Sequence, residues 1–179
     1  MFQKGEEIEI YIEDISQQGQ GIGKVNGFAV FVRDVIPGDR VKCLITKVKK
    51  SFAFAKPVEF IEASESRITP PCPYYKDCGG CDFGEINYQG QLEIKEKQVR
   101  DRLIRIGGLS NPKINNIIPM DEPFFYRNKA VMQISTGGNI MRKGGIIENL
   151  GEPAVGFFKK KTHEVVDCEE CLLQNPATM

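Results

Sequence analysis

No stretch of the 179-residue sequence approaches the ~20 consecutive apolar residues that a membrane-spanning helix requires. The opening residues, Met-Phe-Gln-Lys-Gly-Glu-Glu, lack the basic and then apolar segments of a secretory leader. These absences predict a cytoplasmic chain with no membrane partner. Net charge is missing too: 24 basic residues balance 24 acidic ones, which argues against a tail that merely coats nucleic acid. Gly19, Gly21 and Gly23 of GQGIGK are followed neither by a helix pattern nor by the Lys-Ser/Thr of a phosphate loop, so they read as a bend between strands. No glycine-rich strand-to-helix crossover is present, and the one βαβ-like opportunity, around residues 86–118, lacks its second parallel strand. No cysteine sits in a recognisable nucleophile setting. The sequence therefore offers no catalytic residue and no cofactor-binding glycine loop.

What is present is a concentration of thiols. Residues 70–81, PPCPYYKDCGGC, place Cys72, Cys78 and Cys81 within ten positions. Only Gly79 and Gly80 separate the last two, which lets the backbone turn tightly enough to aim both sulfurs at one centre. A closed metal site needs a fourth ligand, and the remaining paired cysteines, Cys168 and Cys171, lie near the far end of the chain. The spacing predicts that the two regions meet. In a reducing compartment such clustered thiols read as metal or catalytic groups rather than as disulfides. Taken as two Cys-x2-Cys knuckles, Cys78/Cys81 and Cys168/Cys171 suit zinc, although five residues separate Cys72 from Cys78.

Elsewhere the first sixty residues alternate. Ile8, Ile10 and Ile12 share one face of a strand, and Val25-Asn26-Gly27 before Phe28 to Val32 predicts a hairpin with a type I′ turn. Pro37-Gly38-Asp39 marks another turn. Val41, Cys43 and Ile45 alternate with Lys42, Leu44 and Thr46, and a last strand runs from about Phe52 to Ile61. Several short strands with turns between them predict a five-stranded barrel of the oligonucleotide-binding type over residues 1–62. Cys43, remote from the other thiols, reads as a small buried hydrophobe.

The stretch RVKCLITKVKKSFAFAK, residues 40–56, carries six basic residues and no acidic one, whereas acids crowd at Glu6 to Asp14 and Glu59 to Glu65. Lys47, Lys49 and Lys50 are candidate nucleic-acid contacts; alternatively they protect an edge strand while Phe52 and Phe54 fill the core. Residues 63–110 comprise the cysteine loop and a helix. Its Tyr88, Leu92, Val99, Leu103 and Ile106 fall at helical spacing, with Lys95, Lys97, Arg100, Arg102 and Arg105 around them and Gly107-Gly108 at its end. Residues 111–179 return to strands, with Ala130 to Ser135, a turn at Gly137-Gly138, and Val155 to Phe158 before three lysines, predicting an antiparallel sheet.

Three segments carry a more specific likeness. GQGIGKVNGFAVFVRDVIPGDRV resembles a TRAM domain, an RNA-binding barrel. The pattern Cys-x5-Cys-Gly-Gly-Cys followed by INYQGQLEIKEKQVRDRLIRIGG, then FFYRNKA and VGFFKKKTHEVVDCEECLLQ in that order, is similar to RNA uracil-5 methyltransferases.

That resemblance implies a four-iron four-sulfur cluster held by Cys72, Cys78, Cys81 and Cys171, with Cys168 a departure from the family pattern and His163 outside the ligand set. It implies RNA contacts for Arg127 and Lys129, whose plain reading is surface charge beside a strand. Family members transfer a methyl group from S-adenosylmethionine to carbon 5 of a uridine in ribosomal or transfer RNA, after a cysteine thiolate attacks carbon 6. Those catalytic residues belong to a Rossmann-like domain that would begin where this chain stops. The expectation is thus a monomeric RNA-recognition and cluster-bearing portion, mainly β with some α, with S-adenosylmethionine used only by the full-length enzyme. A stand-alone RNA-binding module stapled by zinc or iron, and a redox iron–sulfur protein, are the other readings.

Overall fold

A computed structural model of the chain describes residues 2–135, 139–141, 147–149 and 153–178. The contacts divide it into two compact units that interleave along the sequence: residues 1–69 with 85–119, and residues 70–84 with 120–179. The helix therefore groups with the N-terminal strands, and the cysteine loop with the C-terminal sheet.

The first unit is built on six strands: β1 (Glu7–Tyr11), β2 (Asp14–Ile15), β3 (Gly21–Val25), β4 (Phe28–Val32), β5 (Arg40–Val48) and β6 (Phe52–Glu62). They form one sheet in the order β1-β5-β6-β4-β3-β2. Every pairing is antiparallel except β4 with β6. Six strands replace the expected five because β2, two residues long, is too short to show alternation in sequence. Asn26 (φ 51°) and Gly27 (φ 79°) both take the left-handed conformation that the predicted β3–β4 turn demands. The sheet curls so that β3 meets the end of β1: the Glu13 N–H donates to Ile22 O at 2.8 Å, and a Cβ on Gly23 would stand 2.3 Å from Tyr11 O.

Alternation decides what is buried. Ile8, Ile10, Ile12, Val30, Val32, Val41, Cys43, Ile45, Ala53 and Ala55 point inward and make the core. Phe52 and Phe54, on the opposite face of β6 from Ala53 and Ala55, lie outside it. The reading in which they fill the core is thereby corrected: two alanines do so instead.

The helix α1 spans Tyr88–Asp101, capped where the Asn87 side chain accepts the Gly90 N–H at 2.8 Å, and passes into one π-helical turn, Arg102–Ile106. Gly108, at φ 68°, stands just past its end. The predicted apolar stripe is buried only at its start. Leu92 is 8% exposed, whereas Val99 and Ile106 are 47% and 83% exposed. Periodicity marks an apolar face without saying what covers it, and only the first turns pack.

The second unit holds a three-stranded antiparallel sheet, β7 (Gln133–Ser135), β10 (Ala154–Phe158) and β11 (Val165–Asp167), in the order β11-β10-β7. β8 (Asn139–Met141) and β9 (Ile147–Asn149) make a separate antiparallel pair. β7 is shorter than the predicted Ala130 to Ser135, and the Gly137-Gly138 turn lies outside the described residues.

Candidate metal centre and nucleic-acid interface

The cysteine loop is a series of tight turns fastened to a strand end. Cys72 O accepts the Tyr75 N–H at 3.2 Å, and Tyr74 O accepts those of Asp77 and Cys78 at 3.1 and 2.8 Å. Cys78 then bridges Lys159, with the Gly79 N–H donating to Phe158 O at 2.9 Å. Neither Gly79 nor Gly80 has positive φ, so conformational freedom is not what this loop takes from them. A Cβ on Gly79 would come 2.9 Å from Phe158 O and 3.1 Å from Lys160 N; on Gly80 it would meet only Cys78 Sγ at 3.4 Å. Close approach to the strand requires the first glycine.

The far cysteines come to the same place. The Glu169 N–H donates to the Tyr74 hydroxyl at 3.3 Å, which ties the Cys168–Cys171 segment to the loop. Behind it Arg127 and Gln174 form a parallel bridge, with the Arg127 N–H on Leu173 O at 2.8 Å and the Asn175 N–H on Arg127 O at 2.7 Å. A cavity of about 40 Å³ is lined by Cys72, Cys78, Cys81, Cys168 and Cys171 together with Arg127 and Gln174. That volume exceeds what one water needs.

Within this cavity the thiols differ. Cys168 is 6% exposed and donates its S–H to Val166 O at 3.3 Å, whereas Cys72, Cys78, Cys81 and Cys171 are half-buried. Burial pushes the Cys81 thiol up to about 11; charge repulsion from the neighbouring Cys78, Cys171 and Cys72 adds to this, and Arg127 opposes it. Burial likewise raises Cys72 and Cys168. Gln174 is 2% exposed, yet its Oε1 has no hydrogen-bond partner among the described residues. Gln174 also lines the cavity, and an orphaned buried acceptor is the kind of atom that a bound group or ordered water satisfies. Among the described residues, no group of three or more Cys, His, Asp or Glu is placed to hold a metal ion. The five cysteines line the cavity without forming such a group. His163 packs edge-on against Phe158, ring centres 5.3 Å apart, and is not among the residues lining the cavity.

The basic stretch divides in two on the outer face of the first unit. Arg40 and Lys42 are neutralised by Glu9 at 2.6 Å and Glu7 at 2.7 Å across β1 and β5. Lys47, Lys49 and Lys50 are exposed and make no ion pair among the described residues. Lys47 lies opposite Phe54, and the Lys49 N–H donates to Phe52 O at 2.8 Å. Sequence spacing left Phe52 and Phe54 unplaced and gave no notice of Phe31, which joins them on this face. The signal that could have found it is the parallel β4–β6 pairing, invisible without the fold. Arg127 belongs to the cysteine cavity, with its guanidinium 5.9 Å from the Tyr126 ring centre, and Lys129 is exposed.

With strands, turns and cavity in place, residues 2–58 match the family model of the TRAM domain. Over nearly its whole length the chain is similar to proteins named as RNA methyltransferases. It is 41% identical over 174 residues to an uncharacterized RNA methyltransferase of Clostridium acetobutylicum, covering 96% of this chain and 35% of that protein. It is 39% identical over 172 residues to one of Halalkalibacterium halodurans, with coverage of 96% and 35%. The crystal structure of Pyrococcus abyssi tRNA (uracil-54, C5)-methyltransferase in complex with S-adenosyl-L-homocysteine shares the fold, with a TM-score of 0.50 and 23% identity over 94% of this chain and 33% of that one. The chain spans about a third of the length of the curated relatives it matches. No helix among the described residues is long and apolar enough to cross a membrane.

Proposed function

We propose that this chain is the RNA-recognition and cluster-bearing part of an S-adenosylmethionine-dependent RNA methyltransferase that forms 5-methyluridine in ribosomal or transfer RNA. The observation that carries the reading is the meeting of the 72–81 thiols with Cys171 around one cavity, in a chain whose residues 2–58 match the TRAM domain. Cys72, Cys78, Cys81 and Cys171 would hold a four-iron four-sulfur cluster, for which four thiolates are the usual donor set. Bound there, the cluster supplies a covalent staple between the loop and the C-terminal segment, which sequence separates widely. Cys168, already hydrogen-bonded to Val166 O, is the thiol left over. No residue of this chain is assigned to methyl transfer itself.

A second reading has its own support. Cys78/Cys81 and Cys168/Cys171 keep zinc-knuckle spacing and line the same cavity. Iron, zinc and acid-labile sulfide measured on chain purified without oxygen separate the two. Iron with matching sulfide is expected. Zinc without sulfide would replace the cluster by a zinc staple.

A further inference from the structure

The outer face of the first unit carries an aromatic group that the core does not use. Phe31, Phe52 and Phe54 pack on one another with ring centres 5.5, 5.8 and 5.4 Å apart, two of the three pairs edge to face. All three are only part-buried, and none packs against the core cluster. Register fixes their surroundings. One row across the sheet reads Ile22, Phe31, Phe54, Lys47. The next reads Lys24, Ala29, Phe52, with Lys49 joined to Phe52 by its backbone hydrogen bond. Lysines thus stand on both sides of the rings, while the acid-paired residues Arg40 and Lys42 occupy the other end of β5.

We infer that Phe31, Phe52 and Phe54 form a stacking platform for single-stranded RNA, with Lys47 and Lys49 on one side and Lys24 on the other holding its phosphates. The inference rests on the RNA-binding reading above and goes further by naming the strandedness and the rings. Aromatic side chains on a sheet offer π-faces to any unstacked base, and flanking cations track the backbone. A duplex buries its base faces within its own stack and gains nothing from the rings. Lys24, Lys47 and Lys49, which make no ion pair among the described residues, supply charge that an apolar protein partner would not need, which is why nucleic acid is favoured as the occupant.

The test uses the full chain, purified with its metal, and a fluorescent single-stranded RNA of about 12 nucleotides, a length within the range such sites cover. Binding is followed by anisotropy against salt, with the same sequence as a duplex alongside. Replacing both rings in a Phe52→Leu, Phe54→Leu variant keeps the apolar bulk and should weaken single-strand binding by about 10-fold or more, leaving the salt slope unchanged. Replacing Lys47 and Lys49 with alanine should instead flatten the slope by about 1.4. Wild-type affinity in the leucine variant, or equal affinity for the duplex, would overturn the platform while leaving RNA binding intact. An unmodified chain that shows no salt-dependent RNA binding would remove the parent reading as well. Should the leucine variant melt early, 5-iodouridine photocrosslinking on the unmodified chain decides: crosslinks within peptides carrying Phe31, Phe52 or Phe54 support the platform, and crosslinks confined elsewhere contradict it.

Discussion

Arg67 grips Asp39 with two donors, Nη2 on Oδ2 at 2.5 Å and Nε on Oδ1 at 3.1 Å, across 28 positions of sequence. The Asp39 carboxylate is wholly buried and also accepts the Ile36 N–H at 2.8 Å and the Ser64 N–H at 3.0 Å. Arg67 reaches on to Glu85 at 3.0 Å. One buried charge therefore ties the turn before β5, the segment after β6 and the entry to α1. Asp39→Asn keeps the size but removes the charge, leaving Arg67 underpaired, and removal of one partner from a buried pair typically costs about 3–5 kcal/mol. A urea midpoint lowered to match is the expected result; an unchanged midpoint would show that Arg67 and Glu85 suffice.

The two far cysteines should separate cleanly. Cys171→Ala is expected to abolish iron and sulfide binding, whereas Cys168→Ala, which removes only a thiol bonded to Val166 O, should retain both. Equal loss in the two variants would transfer Cys168 into the ligand set. Metal and sulfide analysis on anaerobically purified protein reads this directly.

The adjacent glycines should also differ. Gly79→Ala places its methyl 2.9 Å from Phe158 O and forces the loop off the strand, so metal content should fall. Gly80→Ala meets only Cys78 Sγ at 3.4 Å and should load normally. Identical behaviour of the two variants would contradict the close-approach account.

Cys43 predicts an alkaline signature. Its burial pushes the thiol up to about 11, above the ordinary value of about 8.5 expected when unfolded. Between those values the unfolded chain has lost its proton and the folded chain has not, so stability falls as pH rises, by about 1.4 kcal/mol per unit and ~3 kcal/mol in all. Below about pH 8 the term is constant. Cys43→Val should flatten that fall in a comparison of urea melts at pH 8 and 10; parallel curves would assign the thiol no part in it.

Much of this arrangement is legible in the chain. Alternation gave Ile8, Ile10 and Ile12 their inward face, Asn26-Gly27 gave its turn, and the lone Cys43 reads correctly as core, because these depend on neighbours two or three residues away. The extent of packing along α1 was not legible. Val99 and Leu92 look equivalent by spacing, yet only Leu92 finds a surface to cover it. Phe52 and Phe54 were ambiguous for a related reason, since alternation separates them from Ala53 and Ala55 without saying which pair faces inward.

The sequence by itself determined the chemistry on offer: five thiols in two groups, an uncompensated lysine run, and strands with their turns, all set by residue type and local spacing. Only the tertiary structure decided what those residues share. It gathered Cys72, Cys78, Cys81, Cys168 and Cys171 around one cavity, sent Arg127 there, and brought Phe31 beside Phe52 and Phe54 on one face of the sheet. Such juxtapositions arise from pairings between residues far apart in sequence, where loop closure and strand register, rather than local preference, fix the neighbour.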